Sequence, residues 1–210
     1  MNLEDPTAHP KRTSFGPDSR RNRLKSPLKG NCNNRAILSH LAMSLWLAAF
    51  AHCAFPATRD GMRVENLKIE NSIGERIYVS KSSGGSRTLP FWISKIGDEE
   101  FTLALKDSIA ASGLFSSVTD EDSAEWKLVA VIKELNQPWF GLNLTVRSLI
   151  QYTLYHGEIL IQDFPISASG TAGIDDALVA IKRLRLANEF SARENIRMFL
   201  TQAAKVERKQ

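Results

Sequence analysis

From Met62 onward the apolar residues recur with a period of either two or about 3.6, and each change of period marks a new element. In Val64–Glu70, Leu67 and Ile69 fall on one side and Lys68 and Glu70 on the other. That alternation predicts a half-buried strand. Ile77, Tyr78 and Val79 predict a short second strand or a continuation of the first, and Ser82–Ser86 reads as a flexible loop. Phe101, Ala104, Leu105 and Ile109 then repeat at helical spacing. Asp98 can cap this helix, and Glu99 and Glu100 sit in a first turn where the dipole favours carboxylates. Gly113 suits the left-handed position after the last turn, with Leu114 packing back over it. A helix over 98–112 follows. Pro90–Ile93, just ahead of it, reads as an apolar lead-in to the core.

Glu125–Leu135 alternates again, with Trp126, Leu128, Ala130 and Ile132 opposite Lys127, Val129, Val131 and Lys133. Gly141–Tyr155 places Leu144, Val146, Ile150, Tyr152 and Leu154 on one face. His156-Gly157 is a turn signal, and Glu158–Ala168 returns through Ile159, Ile161 and Phe164. Pro165 cannot donate to a ladder, so it marks an edge or a bulge. From Ile174 a helix is expected, started by Asp175 and Asp176. Its stripe is Ala177, Ile181, Leu184, Ala192, Ile196, Phe199 and Ala203, interrupted near Asn188. Glu189 and Arg193, four apart, read as a surface pair, and Lys182, Arg183 and Arg185 as a solvated face. The order strand, helix, three strands, helix predicts an α+β fold. Its sheet would be mostly antiparallel, of four to five strands, with two helices on one face. One domain over 62–204 accounts for all of it.

Residues before this domain follow other rules. Ala36–Phe55 contains no Asp, Glu, Lys or Arg, and its strongly apolar part runs from about Leu41 to Ala51. This is short for a membrane span, which needs about 20 apolar residues. With Arg35 as its positive flank and Ala48, Ala49, Ala51 and Ala54 at its end, segment 36–53 fits a secretory signal. Export from a bacterial cytoplasm is the expectation. Cys53 ends the segment in Phe50-Ala51-His52-Cys53. The pattern resembles a lipoprotein signal, in which a small residue precedes a lipidated cysteine. Ala51 fits that pattern and His52 departs from it. Cleavage after Cys53 without lipid, with Ala51 three residues before the cut, is the other reading. Ala54, where an aspartate could stand, resembles the pattern of lipoproteins sent to the outer membrane. Residues 1–35 are polar and basic, and are expected to be a disordered extension or to precede a start codon downstream of Met1. Ser19–Lys25, SRRNRLK, resembles a twin-arginine export motif but carries Arg23 where a large apolar residue is usual.

Charge changes one conclusion. The net charge of +4 and the pI near 9.1 suggest a nucleic-acid binder. Yet residues 1–53 hold eight of the basic residues and only three of the acidic ones, so from Ala54 onward the chain is close to neutral. No nucleic-acid partner is expected of such a domain.

The candidate chemistry is sparse. Cys32 and Cys53 both precede the domain, which excludes a disulfide framework or a cysteine metal site within it. Of the four histidines only His156 lies in the domain, at a turn, so a nucleophile–histidine pair is not expected. No phosphate loop, dinucleotide fingerprint or zinc spacing occurs, and no cofactor is expected. Carboxylates cluster at Asp98-Glu99-Glu100, Asp120-Glu121-Asp122 and Asp175-Asp176. The first and third fit helix starts. The second supplies Asp120, Glu121 and Asp122 as candidates for a carboxylate-dependent hydrolase, which needs two such groups facing across a cleft.

Three stretches, FWISKIGDEEFTLALKDSIAASGLF, TVRSLIQYTLYHGEILI and SASGTAGIDDALVAIKRLRLANEFSARENIRMFL, resemble a group of small uncharacterised bacterial exported proteins, many of them lipoproteins. The resemblance runs from about Met62 to Leu200. Trp92, Gly113-Leu114-Phe115 and the series Arg185, Ala187, Glu189, Arg193, Asn195 carry it. In architecture the chain is more distantly similar to lipopolysaccharide-assembly and transporter-auxiliary lipoproteins. This likeness implies a location and a fold and no known reaction. The expectation is a non-enzymatic envelope accessory protein, periplasmic or tethered to the outer membrane, that binds a partner protein or an envelope lipid. Exposed edge strands near Pro165 or Val64 are its expected contact. The alternative is a periplasmic carboxylate-dependent hydrolase.

Overall fold

The computed structural model describes residues 56–85 and 95–206. The alternating runs become one sheet. Its strands are β1 (Arg76–Val79), β2 (Ser117–Thr119), β3 (Trp126–Asn136), β4 (Leu144–His156) and β5 (Ile159–Ala172). They lie in the order β2-β1-β3-β4-β5. β3, β4 and β5 form the expected antiparallel meander. β1 pairs in parallel with both β2 and β3, so the sheet is mixed, its long ladders antiparallel as expected and its short ones parallel. The helix between β1 and β2 is the cause, because a helical crossover returns the chain in its original direction.

The predicted inward residues are inward. Trp126, Leu128, Ala130 and Ile132 of β3 are buried, as are Leu144, Val146, Ile150, Tyr152 and Leu154 of β4. β5 is less regular than its sequence suggested. Leu154 pairs with Gln162 but Tyr155 with Leu160, which leaves Ile161 as an extra residue. A bulge of this kind flips the alternation. Ile159 and Leu160 therefore end up exposed, while Phe164, Ile166 and Ala168 face the core.

Three helices accompany the sheet: α1 (Arg59–Met62), α2 (Asp98–Ser112) and α3 (Ala180–Ala203). α2 has the predicted bounds, and Gly113 closes it at φ 74°. Phe101, Leu105 and Ile109 of α2 share one core with Ile77, Leu128 and Tyr152 of the sheet and with Ile196 and Phe199 of α3. Phe199 stacks on Tyr152 at 4.3 Å between ring centroids and meets Phe164 edge-on at 5.5 Å.

Two predicted elements change. Residues 64–70 form no strand, although Leu67 and Ile69 do turn toward the core while Lys68 and Glu70 are exposed. Their backbone bonds to the small polar face of α2 instead. Val64 N donates to Ser108 Oγ at 2.9 Å and Ile69 N to Ser112 O at 2.9 Å. The last helix starts at Ala180, not at Asp175. Asp176 holds a turn before it, accepting from Gly173 N at 2.7 Å. The apolar lead-in at 90–93 lies outside the described residues, as do the basic extension 1–35 and the signal-like segment 36–53.

Candidate functional site

β5 is an edge strand of 14 residues, and among the described residues its only partner is β4. Pro165 sits in mid-strand opposite Gln151, as an edge permits. The strand is held from beneath by polar side chains of α3. Asn195 Nδ2 donates to Ile166 O at 2.9 Å, and Ser191 Oγ donates to Ala168 O at 3.3 Å and to Ser148 Oγ at 2.8 Å. Tyr152 Oη completes the row by donating to Asn195 Oδ1 at 3.0 Å. Asn195, Ser191, Ser148 and Tyr152 are all buried, so each bond replaces one to water. Burial pushes the Tyr152 phenol well above its ordinary range.

Beside this edge run two adjoining surface hollows that share Ser169 and Glu194. Ser167, Ser169 and Thr171 of β5 form one wall. Phe190, Glu194 and Met198, four residues apart on α3, form the other. Arg147 lies at one end, and Arg193 and Arg197 line the hollow near Val64–Leu67. Arg197 Nη2 donates to Glu194 Oε1 at 2.5 Å, and this hydrogen bond lowers the Glu194 carboxyl. An open strand edge and a helix face with alternating apolar and charged residues thus line the same hollows.

The other anticipated site residues are dispersed. Cys53, the candidate for lipidation or cleavage, lies outside the described residues. Asp120, Glu121 and Asp122 do not converge. Asp120 Oδ1 accepts from Lys106 Nζ at 2.5 Å, and that hydrogen bond lowers its carboxyl. Asp122 pairs with Lys127 at 2.9 Å and Glu121 with Arg76 at 3.8 Å. All three are exposed. His156 stays at its hairpin, with Nε2 3.3 Å from Glu75 Oε2, which also accepts from Trp126 Nε1 at 2.7 Å. Among the described residues no group of His, Cys, Asp or Glu could hold a metal ion.

Two readings of charged residues and one of a strand edge need correction. Glu189 is buried and makes no surface pair with Arg193. It accepts from Thr58 N and Thr58 Oγ1, both at 2.9 Å, and faces Arg185 Nε at 3.6 Å. Arg193 Nε donates instead to Gly61 O at 3.0 Å. Arg183 is buried rather than solvated, its Nη1 donating to Ala177 O at 2.9 Å and Leu178 O at 2.8 Å. Val64, proposed as a second open edge, is buried and belongs to no strand. The row Ser191, Asn195 and Gly170 escaped the sequence reading. Its signals were the break in the apolar stripe near Asn188 and a glycine that continues the alternation of small residues just past the predicted strand end at Ala168.

No protein-family model matches the chain, and no curated protein matches it. Among solved structures, a Xanthomonas campestris protein of family DUF330 is 8% identical, with a TM-score of 0.49 over 68% of this chain and 90% of its own. A hypothetical protein from Chlamydia trachomatis is 9% identical, with a TM-score of 0.48 over 63% of this chain and 97% of its own. A candidate lipoprotein from Caulobacter crescentus is 15% identical, with a TM-score of 0.42 over 61% and 87%. These are similarities in the course of the backbone, with scores below 0.5, and they imply neither function nor partner. No helix among the described residues is long and apolar enough to cross a membrane.

Proposed function

We propose that the chain is a non-enzymatic accessory protein of the bacterial cell envelope that binds a partner protein along β5. In this reading segment 36–53 exports it and lipid on Cys53 tethers it, to the outer membrane by the pattern at Ala54. The observation that carries the binding role is the open edge of β5 with Phe190, Glu194 and Met198 alongside. Main-chain bonds from Ser167–Thr171 would supply affinity, and the helix side chains would supply selectivity. Asp120, Glu121 and Asp122 pair with separate bases, which favours this reading over a carboxylate-dependent hydrolase.

The test uses the full chain in its bacterial host, with a photo-crosslinking residue at Ser167 or, as a control, at Ser117 of β2. The expected result is one discrete adduct with an envelope protein from position 167 and none from 117. Ser169→Pro is the companion variant. Ser169 has the alternation of Pro165, so a proline there costs no bond to β4 but removes a free donor from the edge. It should abolish the adduct while leaving the unfolding midpoint nearly unchanged. Equal adducts from both edges, or full binding by the proline variant, would exclude strand addition at β5.

A further inference from the structure

Large apolar side chains stand in solvent at one end of the sheet. Trp139 is 91% exposed, Phe140 89%, Leu142 70% and Leu178 85%, with Ile174 and Val179 half exposed beside them. They come from two loops, 137–143 between β3 and β4 and 173–179 between β5 and α3. The pairing of Leu144 with Ala172 sets the roots of these loops side by side. A Cβ on Gly173 would lie 2.8 Å from Asn143 Oδ1, which shows how closely the loops approach. Arg183 ties them together. Its Nη1 holds the carbonyls of Ala177 and Leu178, and its Nη2 reaches Gly141 O at 3.5 Å. Gln137 Nε2 donates to Asn188 Oδ1 at 2.7 Å and fixes the first loop to α3. The result is a braced apolar tip. Soluble monomers rarely expose a contiguous patch of this kind without a use for it.

We infer that this tip is a membrane-contacting surface that inserts into the interface of a lipid bilayer. Three observations favour lipid. The first is where the chain enters the domain. Ala57 N donates to Lys95 O at 3.1 Å, and Lys95 lines one surface hollow with Glu134, Leu135 and Gln137, at the root of loop 137–143. The chain therefore enters at the same end as the tip. Cys53 is three residues before Pro56, a reach of at most about 11 Å in extended chain. A tether at Cys53 would hold this end, and not the Ile159 hairpin, against the bilayer; in this respect the inference rests on the tether proposed above. The second is residue type. Tryptophan at a loop tip suits the headgroup level, where its amphipathic ring is at home, and phenylalanine and leucine beside it suit the acyl boundary just below. The third is charge. Lys95, Lys133 and Lys182 at the rim of the tip are balanced by Glu134, Asp175 and Asp176, and the remaining charge, on Arg183, is buried against the loop carbonyls. A neutral rim has no net pull on anionic lipid, so apolar burial supplies the attraction and added salt leaves it unchanged.

The experiment follows residue 142 in the full chain. Leu142→Cys, in a Cys32→Ser and Cys53→Ala background, carries an environment-sensitive fluorophore, and the chain is mixed with phosphatidylethanolamine–phosphatidylcholine vesicles. Because Cys53→Ala removes the lipidation site, the readout does not depend on lipidation. The fluorophore should shift to the blue, be quenched by bromine on the acyl chains and ignore added salt. On Ile159→Cys, at the far end of β5, it should stay water-like. Trp139→Ser with Phe140→Ser should lower the embedded fraction at residue 142 by roughly tenfold. A water-like signal at 142 on chain already bound to vesicles would overturn the inference. So would a blue shift that appears without vesicles and grows with protein concentration, which marks a second copy, or one that needs an envelope protein. The intact mass of wild-type chain from host membranes reports the tether separately. An unmodified Cys53 together with an embedded residue 142 would leave the tip in place and remove the lipid anchor.

Discussion

A methyl group on Gly170 would place its carbon 2.2 Å from Ser191 N and 2.6 Å from Ala187 O, both backbone atoms of α3. No rotamer change relieves such a contact, because helix and strand must separate. Gly170→Ala should therefore lower stability by about 3 kcal/mol, read as a lower urea midpoint with an unchanged slope. Gly157 is the matched control. Its φ is +58° and nothing lies within 4 Å of the added carbon, so Gly157→Ala should cost only about 1 kcal/mol, from backbone strain alone. If the two variants lose the same amount, the close approach of α3 to β5 is wrong. The glycine itself was visible in the sequence, two residues beyond the predicted end of the strand at Ala168. What it touches was not, because a strand pattern says which face is inward and nothing about which helix covers it.

Elements show the same division. The alternation at 64–70 sorted Leu67 and Ile69 from Lys68 and Glu70 correctly, yet the backbone there bonds to Ser108 and Ser112 of α2 and to no strand. Period two describes any extended segment with one covered side, and the small polar residues of α2 decide what covers it. The α2 bounds were legible because an apolar stripe and a left-handed glycine agree there, although Asp98 is not the cap: Gly97 takes that position, and Asp98 Oδ1 accepts from Gly85 N at 2.8 Å instead. The start of α3 was not, because Asp176 serves a turn as readily as a helix. The β5 edge was signalled by Pro165, while the parallel pairing of β1 left no mark in its four residues. Nor does a charge pair at four-residue spacing reveal burial. Glu189 lies under Thr58 and Gly61 and clasps α1 to α3. Glu189→Ala should strand Thr58 N and a partly buried Arg185, at a cost of about 2–4 kcal/mol. Because α1 is the last element before the proposed tether, proteolysis near Arg59 should also speed up. An Arg59 site as resistant as in the parent chain would show that α1 is held by other contacts.

The whole molecule has two pH limits with different physical origins. On the acid side, hydrogen bonds from Arg63, Lys106, Arg76 and Arg197 hold Glu65, Asp120, Glu125 and Glu194 below the usual carboxylate range. Depressed carboxylates stabilise the fold fully above their unfolded values, near about 4, and lose that contribution as the pH falls through the folded ones. These groups lie at or near the surface, so the acid limb should be shallow and should flatten further in salt. On the alkaline side, burial holds the Tyr152 phenol well above its ordinary value of about 10. Above that value the unfolded chain releases a proton that the folded chain keeps, so stability falls as the pH rises. A buried group is little screened, so salt should leave the Tyr152 part of this limb unchanged. Tyr152→Phe separates the two limbs. Near neutrality it should cost about 1 kcal/mol, because Asn195 Oδ1 loses its buried donor. Above about pH 10 its stability should fall less steeply than that of the parent, so that the two curves converge. Urea titrations across the alkaline range, at low and high salt, measure both slopes. Parallel curves would show that the phenol is not the group whose ionisation opens the core, and that the row joining Tyr152, Asn195 and β5 is less sealed from water than its burial implies.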